Sequence, residues 1–241
     1  MVQLTTRERV DAFWAATLGV TVSDLHTPGV RVYPNPPDRA TWRGVYVLSF
    51  DQAACVFVPR DLIDTVLAGV ADADAETVLE PKIWHHLLGD QVQMAFGPVQ
   101  HHYLDAADGL AAHAVGRRIN PGDSEALDAL RGAVPTDEWM LAGFNAQPAM
   151  LFGLFVDDRM VAAANLTSGP DAATDIGIVI HPDSRHQGYA AQIAATAARQ
   201  ALLLHGVARL RLLASSQSAL AVATKLGFAE YGRNLAAYLT G

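Results

Sequence analysis

The stretch from Asp175 to Gly206 leaves few options for how this chain folds. Ile176-Gly177-Ile178-Val179-Ile180 is a β-branched run between Asp175 and His181-Pro182, which predicts a buried strand ended by a proline that cannot donate to the ladder. Arg185-His186-Gln187-Gly188-Tyr189-Ala190 follows, and then a long helix to His205, closed by Gly206. On that helix Ala190, Ile193, Ala194, Ala197, Ala201 and Leu204 make one face, while Gln192, Thr196, Arg199 and Gln200 make the other. Strand, short loop and helix in this order predict a layered α/β arrangement. The helix start exposes unpaired amides and the positive end of a dipole, which together suit a diphosphate. Gly188, without a Cβ, lets an anion approach the main chain closely, and Arg185 adds a fixed charge.

Other segments read less sharply. Thr5 and Glu8 fit a capping box, with Val10, Phe13, Trp14 and Leu18 at helical spacing until Gly19. The runs 45–50 and 53–58, separated by Asp51-Gln52, predict a hairpin, and 60–70 and 80–88 predict helices. A strand over 93–96 is expected to end at Gly97-Pro98, with 97–100 a tight turn. Asn120 to Ser124 is a turn cluster, so the domain boundary falls between about 108 and 122, drawn here as residues 1–114 and 115–241. Helices over 124–131 and 136–141 then lead to a second hairpin, 150–156 and 160–166, turned by Asp157-Asp158. It echoes the first, as a degenerate copy of one unit would.

Half of the residues are hydrophobic, enough for a core in each part. The net charge of −8 argues against a nucleic-acid partner, which needs clustered Lys and Arg. From Thr174 onward six basic residues face three acidic ones, net +3, which leaves −11 for the first 173 residues; this suits a polyanionic ligand on the C-terminal part and a cationic one facing the rest. The opening residues lack the order of a signal peptide and no stretch has the length of a membrane span, so a cytoplasmic protein is expected. The single cysteine, Cys55, sits in an apolar run and reads as a core residue. His85-His86 and His101-His102 are adjacent pairs whose side chains diverge, so no metal site is expected.

Residues 180–190, Ile-His-Pro-Asp-Ser-Arg-His-Gln-Gly-Tyr-Ala, resemble the acetyl-coenzyme A signature of GNAT acetyltransferases, with Arg185, Gly188 and Ala190 in its defining places. Arg209 to Ala214 resembles the fifth strand of that family, and Ser216 to Phe228 the helix and Gly-Phe turn after it. The resemblance spans residues 115 to 241 and implies a GNAT fold, a mixed, mostly antiparallel twisted sheet flanked by helices, beside an additional N-terminal α/β domain. It further implies acetyl transfer from acetyl-CoA to the amine of a small, cationic acceptor, directly and in a ternary complex. The alternative is an acyl-CoA-binding sensor that has lost catalysis.

By that resemblance the main chain of Ile178, Val179 and Ile180 pairs with the pantetheine arm where the strand splays from the next. The diphosphate lies over Arg185, His186, Gln187, Gly188, Tyr189, Ala190 and Ala191, and Ser216 replaces a frequent Asn. Asp175 and Glu138 are the candidate bases. The Tyr that often protonates the leaving thiolate aligns with Ala223, which leaves Tyr231, Tyr238 or water as the donor. The resemblance allows a homodimer.

Overall fold

The computed structural model describes residues 5–145, 150–167 and 174–240. Contacts group it into two units that no single cut in the sequence separates: Met1–His101 with Leu212–Ser216 and Glu230–Gly241, and His102–Arg211 with Gln217–Ala229.

In the first unit, helix α1 (Thr6–Leu18) starts at the expected capping box, where Thr5 and Glu8 satisfy each other's backbone N–H, and stops at Gly19 in the left-handed region. Helix α2 (Val22–His26) begins with a second such box, Thr21 and Asp24. Strand β1 (Gly29–Pro34), hidden in the sequence by its flanking prolines, runs parallel to β3 (Ala53–Val58). The hairpin of β2 (Gly44–Phe50) and β3 forms as expected, turning at Asp51 with φ +50°. Helices α3 (Ile63–Gly69) and α4 (Pro81–Leu88) cover one face of this sheet. There Val45, Val47, Val56 and Leu235 pack against Val66, Trp84 and Leu88. Cys55 is buried in the strand as read, and its thiol donates to the Asp24 carbonyl at 3.6 Å.

The turn expected at 97–100 is instead the middle of a strand, β4 (Val92–Leu104), which passes through a cis Gly97–Pro98 bond. The ladder continues because Pro98 still offers its carbonyl, which accepts from Ala214 N at 3.1 Å. Gly97 is required there, since a Cβ would lie 2.8 Å from the Asn234 carbonyl. Strand β10, numbered in chain order, is Ala229–Leu239. It groups with this unit because it pairs antiparallel to β2, from Arg233↔Ser49 to Tyr238↔Gly44.

The second unit contains β5 (Arg117–Arg118), α5 (Ser124–Ala133), α6 (Thr136–Leu141), β6 (Met150–Val156), β7 (Arg159–Thr167), β8 (Thr174–Ile180), α7 (Tyr189–His205), β9 (Ala208–Leu213) as far as Arg211, and α8 (Gln217–Lys225). Its sheet runs β9-β8-β7-β6-β5, antiparallel except for the β8–β9 pair. The β6–β7 hairpin turns at Asp157 and Asp158, both at positive φ, which Asp tolerates better than most residues. Val179 and Ala163 pack with Leu130 of α5 and Trp139 of α6 on one face. Helix α7 lies over β6, β7 and β8 with Ile193 and the alanines 191, 194, 195, 197, 198 and 201 buried. Small residues let its backbone come close to the sheet. Leu204, assigned to the buried face from its spacing, is 48% exposed. Among the described residues no helix is long and apolar enough to cross a membrane.

Candidate active site

Strand β8 is paired all the way from Asp175 to Ile180 on one side only. With β7 the register runs from Ala162↔Ile180 to Thr167↔Asp175. With β9 it has three steps, Thr174↔Ala208, Asp175↔Arg209 and Ile176↔Leu210, and then stops although both strands continue. From Gly177 to Ile180, therefore, β8 has no β9 partner among the described residues. The split opens beside a fixed point. Buried Asn165 of β7 donates to the Ala142 carbonyl at 2.8 Å and accepts from Gly177 N at 3.0 Å. A Cβ on Gly177 would lie 1.7 Å from that carbonyl, so only glycine admits the end of α6 against the strand.

Beyond Ile180 the chain turns through Pro182–Ser184, with His181 Nδ1 accepting from Asp183 N at 3.2 Å. His186 takes φ +62° and Gly188, the N-cap of α7, φ +83°. Nothing lies within 4 Å of a Cβ built on Gly188, so the loop is open above it. The hydrogen bond from Gln192 N reaches back to Gly188 O at 3.4 Å, and the amides of Tyr189, Ala190 and Ala191 precede it, at the stage of a helix where the N–H groups have no intrahelical acceptor. Arg185 in this loop is exposed and bound to Glu138 of α6.

At the root of the split stands a charged group. Arg209 is buried and holds both oxygens of Asp175 through Nε and Nη2, the latter at 2.7 Å, while its Nη1 reaches the Tyr103 hydroxyl at 3.4 Å. Burial opposes the charge on Arg209, but Asp175 and then Tyr103 outweigh it and raise the guanidinium pKa. Arg211 adds a second cation, its Nε 3.2 Å from Asp175 Oδ2.

A strand that loses its partner midway and then runs through such a loop into a long helix is a distinctive arrangement, and the model of the acetyltransferase (GNAT) family matches residues 110–228. This stretch is a GNAT-family domain. The chain is also similar in fold to a putative GNAT acetyltransferase from Novosphingobium aromaticivorans, at 18% identity over 62% of this chain and 67% of that one, with a TM-score of 0.47. A GNAT acetyltransferase from Colwellia psychrerythraea matches at 13% identity over 65% of this chain and 61% of that one, TM-score 0.49. The ribosomal-protein-S18-alanine N-acetyltransferase of Escherichia coli matches at 17% over 52% of this chain and 94% of that one, TM-score 0.38. The chain thus spans about two thirds or less of the length of the first two. No protein of curated function matches the sequence significantly.

Within the GNAT domain the structure brings two candidates together, Glu138 and Arg185, and sets a third, Asp175, against Arg209. Tyr231 belongs to the other unit, where its hydroxyl donates to Asp11, which also bonds His26 Nε2 at 2.7 Å. Tyr238, also there, sets its ring edge-on to Trp42. Ser216 stands directly before α8, and Ala223 within α8 is fully buried. Sequence reasoning missed Arg209, Arg211, Tyr103 and Asn165. Two arginines alternating inside an otherwise apolar strand were the available signal, since a charge in such a place requires a partner.

Proposed function

We propose that the chain is an acetyl-CoA-dependent N-acetyltransferase that moves the acetyl group directly to the amine of a small acceptor in a ternary complex. Residues 115–241 would be the catalytic segment and residues 1–114 a degenerate copy of the same fold. The observation that carries this reading is the loss of β9 pairing after Ile176 on the strand that leads to Gly188.

The residues present fit the cosubstrate. Main-chain groups of Ile178, Val179 and Ile180 are available to an extended arm, as a strand edge is to an added strand. The amides of His186, Gln187, Gly188, Tyr189, Ala190 and Ala191, with Arg185, suit its diphosphate, and the open space over Gly188 gives the anion room. Ser216 would add a hydroxyl. The thioester supplies an activated acyl carbon.

Proton handling falls to the protein and water. An alkyl amine with pKa about 10.4 costs roughly 4–5 kcal/mol to deprotonate at neutral pH. Glu138 would serve as base once Arg185 turns to the diphosphate and leaves its carboxylate free. Asp175 would do so only by giving up one of its two arginines. The leaving thiolate, with a free pKa near 8.5, takes its proton from water. The acidic remainder of the chain favours an acceptor whose amine arrives as an ammonium ion.

Thiol release from acetyl-CoA with a panel of amines tests the reading, and turnover on at least one is expected. The buried alanine at 223, where the family resemblance would place a tyrosine, supports a second reading, an acyl-CoA-binding sensor. Tight acetyl-CoA binding with no turnover on any amine would favour it. A protein that acetyl-CoA does not stabilise against heat would exclude both.

A further inference from the structure

We propose that Arg211 docks an acid group of the acceptor, so that the substrate is a small amine that also carries a carboxylate, as an amino acid does. The proposal rests on the transfer reading above and adds the second recognition point of the same site.

Alternation along β8 puts Asp175 on the same face as Gly177 and Val179, the face on which α6 lies. Arg209 and Arg211 share that face through their contact with Asp175. Pairing of β8 with β9 ends at Ile176↔Leu210, so Arg211 is the first β9 residue past the split. One carboxylate thus serves two guanidinium groups, and the group as a whole keeps a positive charge.

The two arginines are not equivalent. Arg209 is buried and commits Nε, Nη1 and Nη2 to Asp175 and Tyr103. The Arg211 side chain is 52% exposed, and its Nε lies 3.2 Å from Asp175 Oδ2. Its terminal fork makes no hydrogen bond among the described residues. A guanidinium fork presents two parallel donors that match a carboxylate, and Asp175 holds this one by its stem.

The anion it awaits is not the diphosphate of the cosubstrate. Gly188 lies beyond the end of β8, and the strand from Ile176 to Ile180 alone spans about 13 Å. A carboxylate on Arg211 would fix one end of the acceptor at the root of the split and leave its amine to reach the thioester.

Saturation-transfer NMR tests the acid group without turnover, using N-acetylglycine, N-acetyl-β-alanine and N-acetyl-4-aminobutyrate against their primary amides, with coenzyme A present. At least one acid should bind roughly 10-fold or more tighter than its amide. Arg211→Met should abolish the difference and Arg211→Lys keep part of it, with the urea midpoint of each variant reported alongside. In thiol-release assays the free amino acid should be preferred over its amide through KM, with kcat little changed. Equal binding of acid and amide, or a preference that Arg211→Met retains, overturns the proposal. So does a loss of acetyl-CoA affinity in Arg211→Met, which would assign the fork to the phosphates. Acid binding that depends on Arg211 in a protein that acetylates no amine would sink the transfer reading and leave the acid site standing.

Discussion

Arg185 and Glu138 are joined by one guanidinium nitrogen that donates to both carboxylate oxygens, at 2.9 and 2.8 Å. Both side chains are about 40% exposed, so water and salt weaken the pair to roughly 0–1 kcal/mol. A diphosphate with two charges competes with it readily. Glu138→Gln is expected to free Arg185 and tighten acetyl-CoA binding about 2- to 5-fold. Arg185→Met should weaken it by about 10-fold or more. Titration calorimetry at two salt concentrations measures both, and an unchanged affinity in each variant would show that Arg185 does not reach the phosphates.

Gly188 at φ +83° faces open space, so a larger side chain meets strain but no collision within the protein. Gly188→Val should cost the free protein about 1–2 kcal/mol or somewhat more. The larger effect is on ligand binding. Acetyl-CoA at 100 times its dissociation constant should stabilise the native chain by about 2.7 kcal/mol, and the variant should lose that gain. Thermal melts with and without acetyl-CoA separate the two effects.

Asn165 satisfies Ala142 O and Gly177 N at once while only 1% exposed. Asn165→Ala takes these partners from two half-buried backbone groups, an expected loss of about 1–3 kcal/mol in urea unfolding. Gly177→Ala should be at least as damaging, because the added carbon meets backbone that must move. A variant of either kind with native stability would show that α6 is not anchored at this point.

Asp175→Asn removes the counter-charge of a buried guanidinium that stays ionised, and should cost about 3–5 kcal/mol. The double variant Asp175→Leu with Arg209→Met should recover much of that. If Asp175→Asn lowers total activity no further than it lowers the folded fraction, Asp175 positions the arginines and is not the base.

Burial pushes the Cys55 thiol up from 9.0 to about 12, with the Asp24 charge adding to it. The folded state therefore holds a proton that the unfolded chain gives up between those values. The stability from this group is fully present below pH 9 and falls as pH rises, by about 1.4 kcal/mol per unit. Iodoacetamide at pH 8 should label Cys55 only after unfolding, and Cys55→Ala should flatten the alkaline slope of stability. Rapid labelling of the native protein would contradict the burial.

Much of the fold was written locally. The strand, loop and helix over residues 176–205 were legible because β-branched spacing, the glycine N-cap and the closing Gly206 act within a few residues of one another. The capping box at Thr5 and the two hairpins with aspartate turns were legible for the same reason. Strand β1 and the passage of β4 through Pro98 were not, since proline reads as a break unless the partner strand that uses its carbonyl is known.

The sequence by itself determined that a strand would deliver a glycine-capped helix start, with an arginine ahead of it, because short-range sterics and dipoles decide that much. Only the tertiary structure decided where β8 and β9 part, that Asp175 answers to Arg209 at a separation of 34 residues, and that Tyr103 joins them from 106 residues away. Such pairings depend on which charges and surfaces the packed sheet brings opposite each other, and no local period encodes that.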